Sequence, residues 1–113
     1  MSDCLFCKII AGEIPSTKVY EDEWVYAFLD IDPQAPFHAV IVPKIHIASA
    51  AEINAENSHY VSKIFEAVAK IAVQEKLEDG FRVVNNCGKD GGQTVGHIHF
   101  HLLARRYLQW PPG

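Results

Sequence analysis

Residues Gly96-His97-Ile98-His99-Phe100-His101-Leu102-Leu103 alternate three histidines with three large apolar side chains. Period-2 alternation marks a strand with one face in a core. Ile98, Phe100 and Leu102 then point inward, and His97, His99 and His101 line the opposite face. Successive imidazoles on such a face stand about 6.6 Å apart, close enough for two rings to flank one phosphoryl-sized group. A lone strand histidine is ordinarily solvated or satisfied. Three at i, i+2 and i+4 on one face point to chemistry. Two chemistries fit: His-x-His on a strand presents ring nitrogens to Zn²⁺, or one imidazole attacks while its neighbours set tautomer and charge.

The loop just before this run, Gly88-Lys89-Asp90-Gly91-Gly92-Gln93-Thr94, carries amide donors, a side-chain amide and a hydroxyl. Glycines permit turns that aim several N–H groups at an anion. Alone, such a loop is an ordinary inter-strand turn. Leading into three histidines, it suggests an anion held beside an imidazole row.

The run His97–Leu103, three histidines each followed by an apolar residue, resembles the motif that names the histidine triad (HIT) family of nucleotide hydrolases and transferases. Asp30-Ile31-Asp32-Pro33-Gln34-Ala35-Pro36, His38, Pro43-Lys44, Gly91-Gly92-Gln93 and the ending Trp110-Pro111-Pro112-Gly113 are similar to its Hint branch, the histidine triad nucleotide-binding proteins. The resemblance spans almost the whole chain.

A chain of 113 residues suits one domain, here taken as residues 1–113, with room for one core. Its net charge of −4, without a Lys/Arg cluster beyond Arg105-Arg106, argues against coating a nucleic-acid polymer. A small anionic ligand must then be held by local dipoles and histidines. Met1-Ser2-Asp3 is no basic leader, and no apolar run approaches spanning length, so a cytoplasmic chain without a membrane anchor is expected. Three cysteines, two of them in Cys4-Leu5-Phe6-Cys7, suit thiols or a metal rather than a disulfide framework.

The pattern predicts a short helix over 4–11 ending near Gly12, then a hairpin of strands 18–21 and 24–29. The loop 30–36 is proline-punctuated, and a strand covers 38–42. Val61, Ile64, Phe65, Val68 and Ala72 recur at helical spacing and predict an amphipathic helix over 56–77. Strands over 81–85 and 97–103 complete the set. Too few strands alternate with helices for a parallel sheet. The expected fold is α+β, HIT-like: a five-stranded antiparallel sheet with one long and one short helix.

The resemblance implies more. It implies attack by His99 on a nucleotide α-phosphorus, giving a nucleotidyl-histidine that water hydrolyses. The favoured substrates are purine nucleoside phosphoramidates, adenosine monophosphate joined to an amine. His101, His38 and His97 complete the catalytic set, with His101 acting as an imidazolium and the His38 carbonyl holding the second nitrogen of His99. Asp30 is the expected ribose acceptor, and Asn86, Gly92 and Thr94 face phosphate or leaving group. Phe6, Ile9, Ile14, Phe28 and Ile31 would line the base pocket, although ordinary core packing is the stronger reading of such apolar residues. Cys4, Cys7, His46 and His97 match a closed structural Zn²⁺ site. Trp110–Gly113 would lie at a homodimer interface near the partner's site, with the sheet continuing across it. Ala104-Arg105 and Gly96 depart from the branch pattern, which commonly has Gly-Gly and an aromatic residue there. Rival readings are a dinucleoside polyphosphate hydrolase, a nucleotide-binding regulatory partner with incidental catalysis, and a zinc module in which His99 and His101 ligate metal.

Overall fold

The strand Phe37–Pro43 (β3) is buried at all seven positions, so both of its faces are covered. The computed structural model describes residues 3–113; Met1 and Ser2, at the start where no basic leader is expected, lie outside the described residues. β3 sits at the centre of a five-stranded sheet with Lys18–Glu21 (β1), Val25–Leu29 (β2), Phe81–Asn85 (β4) and Phe100–Ala104 (β5), in the order β1-β2-β3-β5-β4. Every neighbouring pair is antiparallel. The fold is the expected α+β arrangement. Among the described residues no helix is long and apolar enough to cross a membrane.

One face of the sheet carries the long helix His59–Gln74 (α2), which buries Ile64, Ala67, Val68 and Ile71 against Val25, Ala27, Ile41, Phe100 and Leu102. Its apolar stripe drives this packing. Phe65, expected in the stripe, lies at its margin and is half exposed, with its ring edge-on to Phe100. The helix is also shorter than its periodicity suggests. Asn54 and Asn57 tie each other's backbone into turns before it starts. At its other end Lys76 turns to a φ of 58°, and the Leu77 N–H donates to the Ala72 carbonyl. That reversal is a Schellman-type stop. Leu77 then folds back into the core.

The short helix Leu5–Ile10 (α1) covers the other face. Phe6 and Ile9, one turn apart, pack with Tyr26, Phe28, Val40 and Val42. The Cys4 sulfur caps its start by accepting the Cys7 N–H, and Gly12 at a φ of 81° leads the chain away. Two helical turns, Ala50–Glu52 and Gly88–Gly91 (α3), add to the expected elements.

The last strand differs from expectation in a way that shapes the site. β5 begins at Phe100, paired with Ile41 and Asn85, so His97-Ile98-His99 precede the ladder. The alternation still holds: Ile98, Phe100 and Leu102 enter the α2 core. The opposite side is not open to water, because His97 and His99 are 0% and 3% exposed beneath α1.

Candidate active site and metal cluster

Each histidine of the run has one nitrogen committed, and that commitment decides what the other does. His99 Nδ1–H donates to the His97 carbonyl at 2.8 Å; the expected acceptor, the His38 carbonyl, instead takes the Asp30 N–H. A two-residue reach along an extended chain is local, so the partner comes from the run itself. The neutral ring then keeps its lone pair on Nε2. Among the described residues no buried side-chain nitrogen or oxygen lacks a partner, so this unpaired Nε2 opens into the neighbouring cavity. The His99 carbonyl accepts from Asn85 Nδ2 at 2.9 Å. Asn85 carried no distinguishing sequence signal, and its role follows only from the β4–β5 register.

His101 has the opposite polarity. The Gln34 N–H donates to His38 Nδ1 at 3.0 Å, so neutral His38 carries its proton on Nε2. That proton goes to His101 Nδ1, 2.8 Å away, which leaves His101 with an N–H at Nε2. The His99 and His101 ring centroids are 5.2 Å apart. A lone pair and an N–H therefore stand side by side at one cavity wall. Burial, with the neighbouring His99 and His38, lowers the His101 pKa to about 4; burial lowers His38 as well. The imidazolium expected of His101 is thus a neutral donor before any anion arrives, because desolvation outweighs the nearby Asp30 carboxylate.

The cavity beside them has a volume of about 370 Å³. Phe6, Ile9, Ile14, Phe28 and Ile31 all line it, together with Asp30, Thr94, His99 and His101. Ile31 is fully exposed at its lip. Asp30 Oδ2 lies 3.4 Å from His38 Nε2 and 3.9 Å from His101 Nδ1. Asn86 and Gly92 are outside this lining. Gly92, at a φ of 78°, ends α3, and its N–H is taken by the Lys89 carbonyl. The Gln93 side chain is also committed: it donates to the Ala48 and Val95 carbonyls and accepts from the Gly88 N–H. The expected side-chain amide for an anion is therefore a brace of the loop, and Thr94 is the loop residue that faces the cavity.

His97 turns the other way. Its Nε2–H donates to the Pro43 carbonyl at 3.1 Å. Nδ1 faces Cys4 Sγ at 3.3 Å and Cys7 Sγ at 3.5 Å. Cys7 Sγ also meets His46 Nδ1 at 3.4 Å. One ligand atom from each of these four residues lies within 4.8 Å of the others. Two sulfurs and two imidazole nitrogens at this spacing suit a tetrahedral Zn²⁺ site. Burial lowers the His97 pKa to about 4, keeping a ligand lone pair available. Burial and then Cys4 raise the Cys7 thiol, so this cysteine needs a cation to become thiolate. The sequence places His97 in both the metal and the catalytic sets. Its ring joins only the first, and its backbone carbonyl holds His99. Cys87 stands apart as a free, half-buried thiol.

Known proteins place this architecture. Residues 11–108 match the HIT domain. The chain is 52% identical over 117 residues to a 14 kDa zinc-binding protein of Zea mays, covering 99% of this chain and 89% of that one. It is 47% identical over 107 residues to the purine nucleoside phosphoramidase of Escherichia coli, covering 94% and 90%. It is 44% identical over 114 residues to an adenylylsulfatase of Arabidopsis thaliana, covering 99% and 78%. The crystal structure of a HIT family hydrolase from Legionella pneumophila superposes with a TM-score of 0.95 at 50% identity, covering 98% of this chain and all of that one. The histidine run, the sheet that carries it and these likenesses agree: the chain belongs to the HIT domain family, with nucleotide hydrolases among its relatives.

Proposed function

We propose that the protein hydrolyses purine nucleoside 5′-phosphoramidates, adenosine monophosphate joined to an amine, through a covalent intermediate on His99. One observation carries this reading: the His99 lone pair and the His101 N–H stand side by side at the wall of an apolar cavity. The base would fill the space between Phe6, Ile9, Ile14, Phe28 and Ile31, and Asp30 would accept from the ribose hydroxyls. Thr94 would meet the phosphate, with Asn86 and Gly92 serving a leaving group that extends past the cavity. His99 Nε2 attacks phosphorus as the bond to the amine breaks. An anionic phosphoryl group beside His101 raises its basicity, so the ring takes up one proton from solvent as substrate binds and passes it to the departing amine. Water then cleaves the nucleotidyl-histidine, returns that proton and frees the nucleoside monophosphate.

Zn²⁺ in the Cys4, Cys7, His46 and His97 cluster completes the reading. With four protein donors the site is closed, so the metal supplies structure rather than a bound water. The free thiols suit a reducing, cytoplasmic setting. A homodimer is proposed across β4, a sheet edge whose Phe81 is exposed beside the exposed Tyr107 and Trp110 of the tail. Arg82 donates to the Leu108 and Gln109 carbonyls and holds that tail near the edge. A single-monomer mass at micromolar concentration in sedimentation would remove the dimer from this account.

The deciding experiment offers the protein an adenosine phosphoramidate with a fluorogenic amine, adenylyl sulfate and a diadenosine polyphosphate in parallel. Fastest turnover of the phosphoramidate, with a nucleotidyl adduct on His99 in a quenched sample, is expected. Preference for either of the others would reassign the leaving group. Nucleotide binding with no turnover of any would leave a binding protein instead.

A further inference from the structure

The segment His97-Ile98-His99 lies outside the β5 ladder, so neighbouring contacts set its position. The Ile98 N–H donates to the Ile47 carbonyl at 2.6 Å, Asn85 holds the His99 carbonyl, and His97 Nε2–H holds Pro43. The fourth constraint is the His97 Nδ1 edge against Cys4 and Cys7. The same residue's carbonyl is the group that holds His99. A ligand set and a nucleophile are thus joined through one residue.

A second connection runs through α1. Six residues are too few for a helix to be ordered alone, and its capping Cys4 and its own Cys7 both lie in the metal cluster. Phe6 sits between them, with its ring edge-on to His99 at 5.0 Å and to Phe28 at 5.6 Å. Leu5, Phe6 and Ile9 supply one wall of the apolar cavity. Leu5, Thr94 and Val95 also line the hollow beside Cys4 and His46. The cavity and the cluster therefore share a wall made of the chain that either ligand would order.

We infer that metal occupancy of the Cys4–Cys7–His46–His97 cluster and nucleotide occupancy of the cavity are linked, with His97 and Phe6 as the connection. Metal binding tightens nucleoside monophosphate binding, and the nucleotide tightens metal binding by the same factor, as linkage requires. The ligand that arrives first orders α1 and the 97–99 segment, and the second meets them already placed. This rests on the cavity being the nucleotide site proposed above, and it gives the metal a role beyond holding the fold.

The test is calorimetric titration of adenosine monophosphate into zinc-loaded and chelator-stripped protein, with circular dichroism reporting the fold of each. Zinc affinity is read in parallel against a chromophoric chelator, with and without the nucleotide. The expected result is about tenfold tighter nucleotide binding with zinc, and the same factor for zinc with nucleotide. Phe6→Leu keeps all four ligands and should retain zinc affinity while the factor falls to about threefold or less. Should the stripped protein unfold, His46→Ala retains the three inner ligands, and its nucleotide affinity must rise as zinc is titrated in. Equal nucleotide affinity with and without zinc in folded protein overturns the linkage and leaves the nucleotide site standing. Zinc binding with no nucleotide binding to any form overturns both.

Discussion

His97 and His99 are the same residue type two positions apart, both buried, yet they face different chemistry. His97 spends its Nε2–H on Pro43 and turns Nδ1 to two sulfurs. His99 spends its Nδ1–H on a carbonyl and turns Nε2 to a cavity. Neither choice is intrinsic to imidazole. The backbone carbonyl within reach selects the tautomer, and the tautomer selects the chemistry. A metal ligand and a nucleophile can therefore be adjacent on one chain segment without competing.

The comparison breaks most sharply at His99. His99→Ala should lower amine release by on the order of 10⁴-fold or more while nucleotide affinity changes little. Steady-state turnover paired with intact mass would check this, and an undiminished rate would end the nucleophile assignment. At the other end, Cys7→Ser should abolish the stabilisation that zinc gives the wild type. At about 1,000 times its dissociation constant that gain is about 4 kcal/mol. Thermal unfolding with and without zinc reads it, and an equal gain in the variant would remove Cys7 from the ligand set.

Acid tests the cavity end through His101. The folded-state pKa of His101 lies at about 4 against an ordinary value of 6.5, so between these values the unfolded chain binds the extra proton. Stability from this neutral ring is complete above pH 6.5 and is lost as pH falls toward 4, by on the order of 3 kcal/mol. Denaturant unfolding of wild type and His101→Gln at pH 7 and pH 4.5 isolates the contribution. Parallel losses in the two proteins would refute it.

A smaller effect is expected at Asn85, which holds His99 from outside. Asn85→Ala should lower kcat about tenfold with KM nearly constant, the consequence of about 1–1.5 kcal/mol of lost positioning. A rise in KM at constant kcat would mean that Asn85 contacts substrate instead. The smallest concerns Arg105, which stands at a φ of 74° where the related pattern commonly has glycine. Its guanidinium donates to the Glu75 carbonyl and lies over Phe37, offsetting the left-handed backbone. Arg105→Ala keeps that backbone and loses these contacts, so it should be about 1 kcal/mol less stable than Arg105→Gly. Equal denaturation midpoints would show that neither strain nor contact matters there.

The alternation at 97–103 and the stripe on α2 were legible because burial imposes its period directly on the sequence. The base-pocket residues Phe6, Ile9, Ile14, Phe28 and Ile31 follow from resemblance, since apolar residues scattered from Phe6 to Ile31 carry no period. The cavity is what brings them together. Apolar spacing sets the ends of α2 too far out, because Asn54, Asn57 and Lys76 bound it by turn geometry, which that spacing does not encode. The residue type of Gln93 suits an anion donor; its amide, committed to the Ala48 and Val95 carbonyls, shows that loop closure has the stronger claim.

Sequence alone determined the five strands and the two main helices, the family, and the set of side chains able to attack phosphorus or bind metal. Local period and residue chemistry suffice for these. Only the tertiary structure decided which nitrogen of each histidine is free, that His97 belongs with the cysteines, that His101 is neutral, and that Asn85 holds His99. Those outcomes depend on carbonyls and rings brought together from distant strands, and a hydrogen-bond partner supplied across a sheet leaves no mark on the residues beside it.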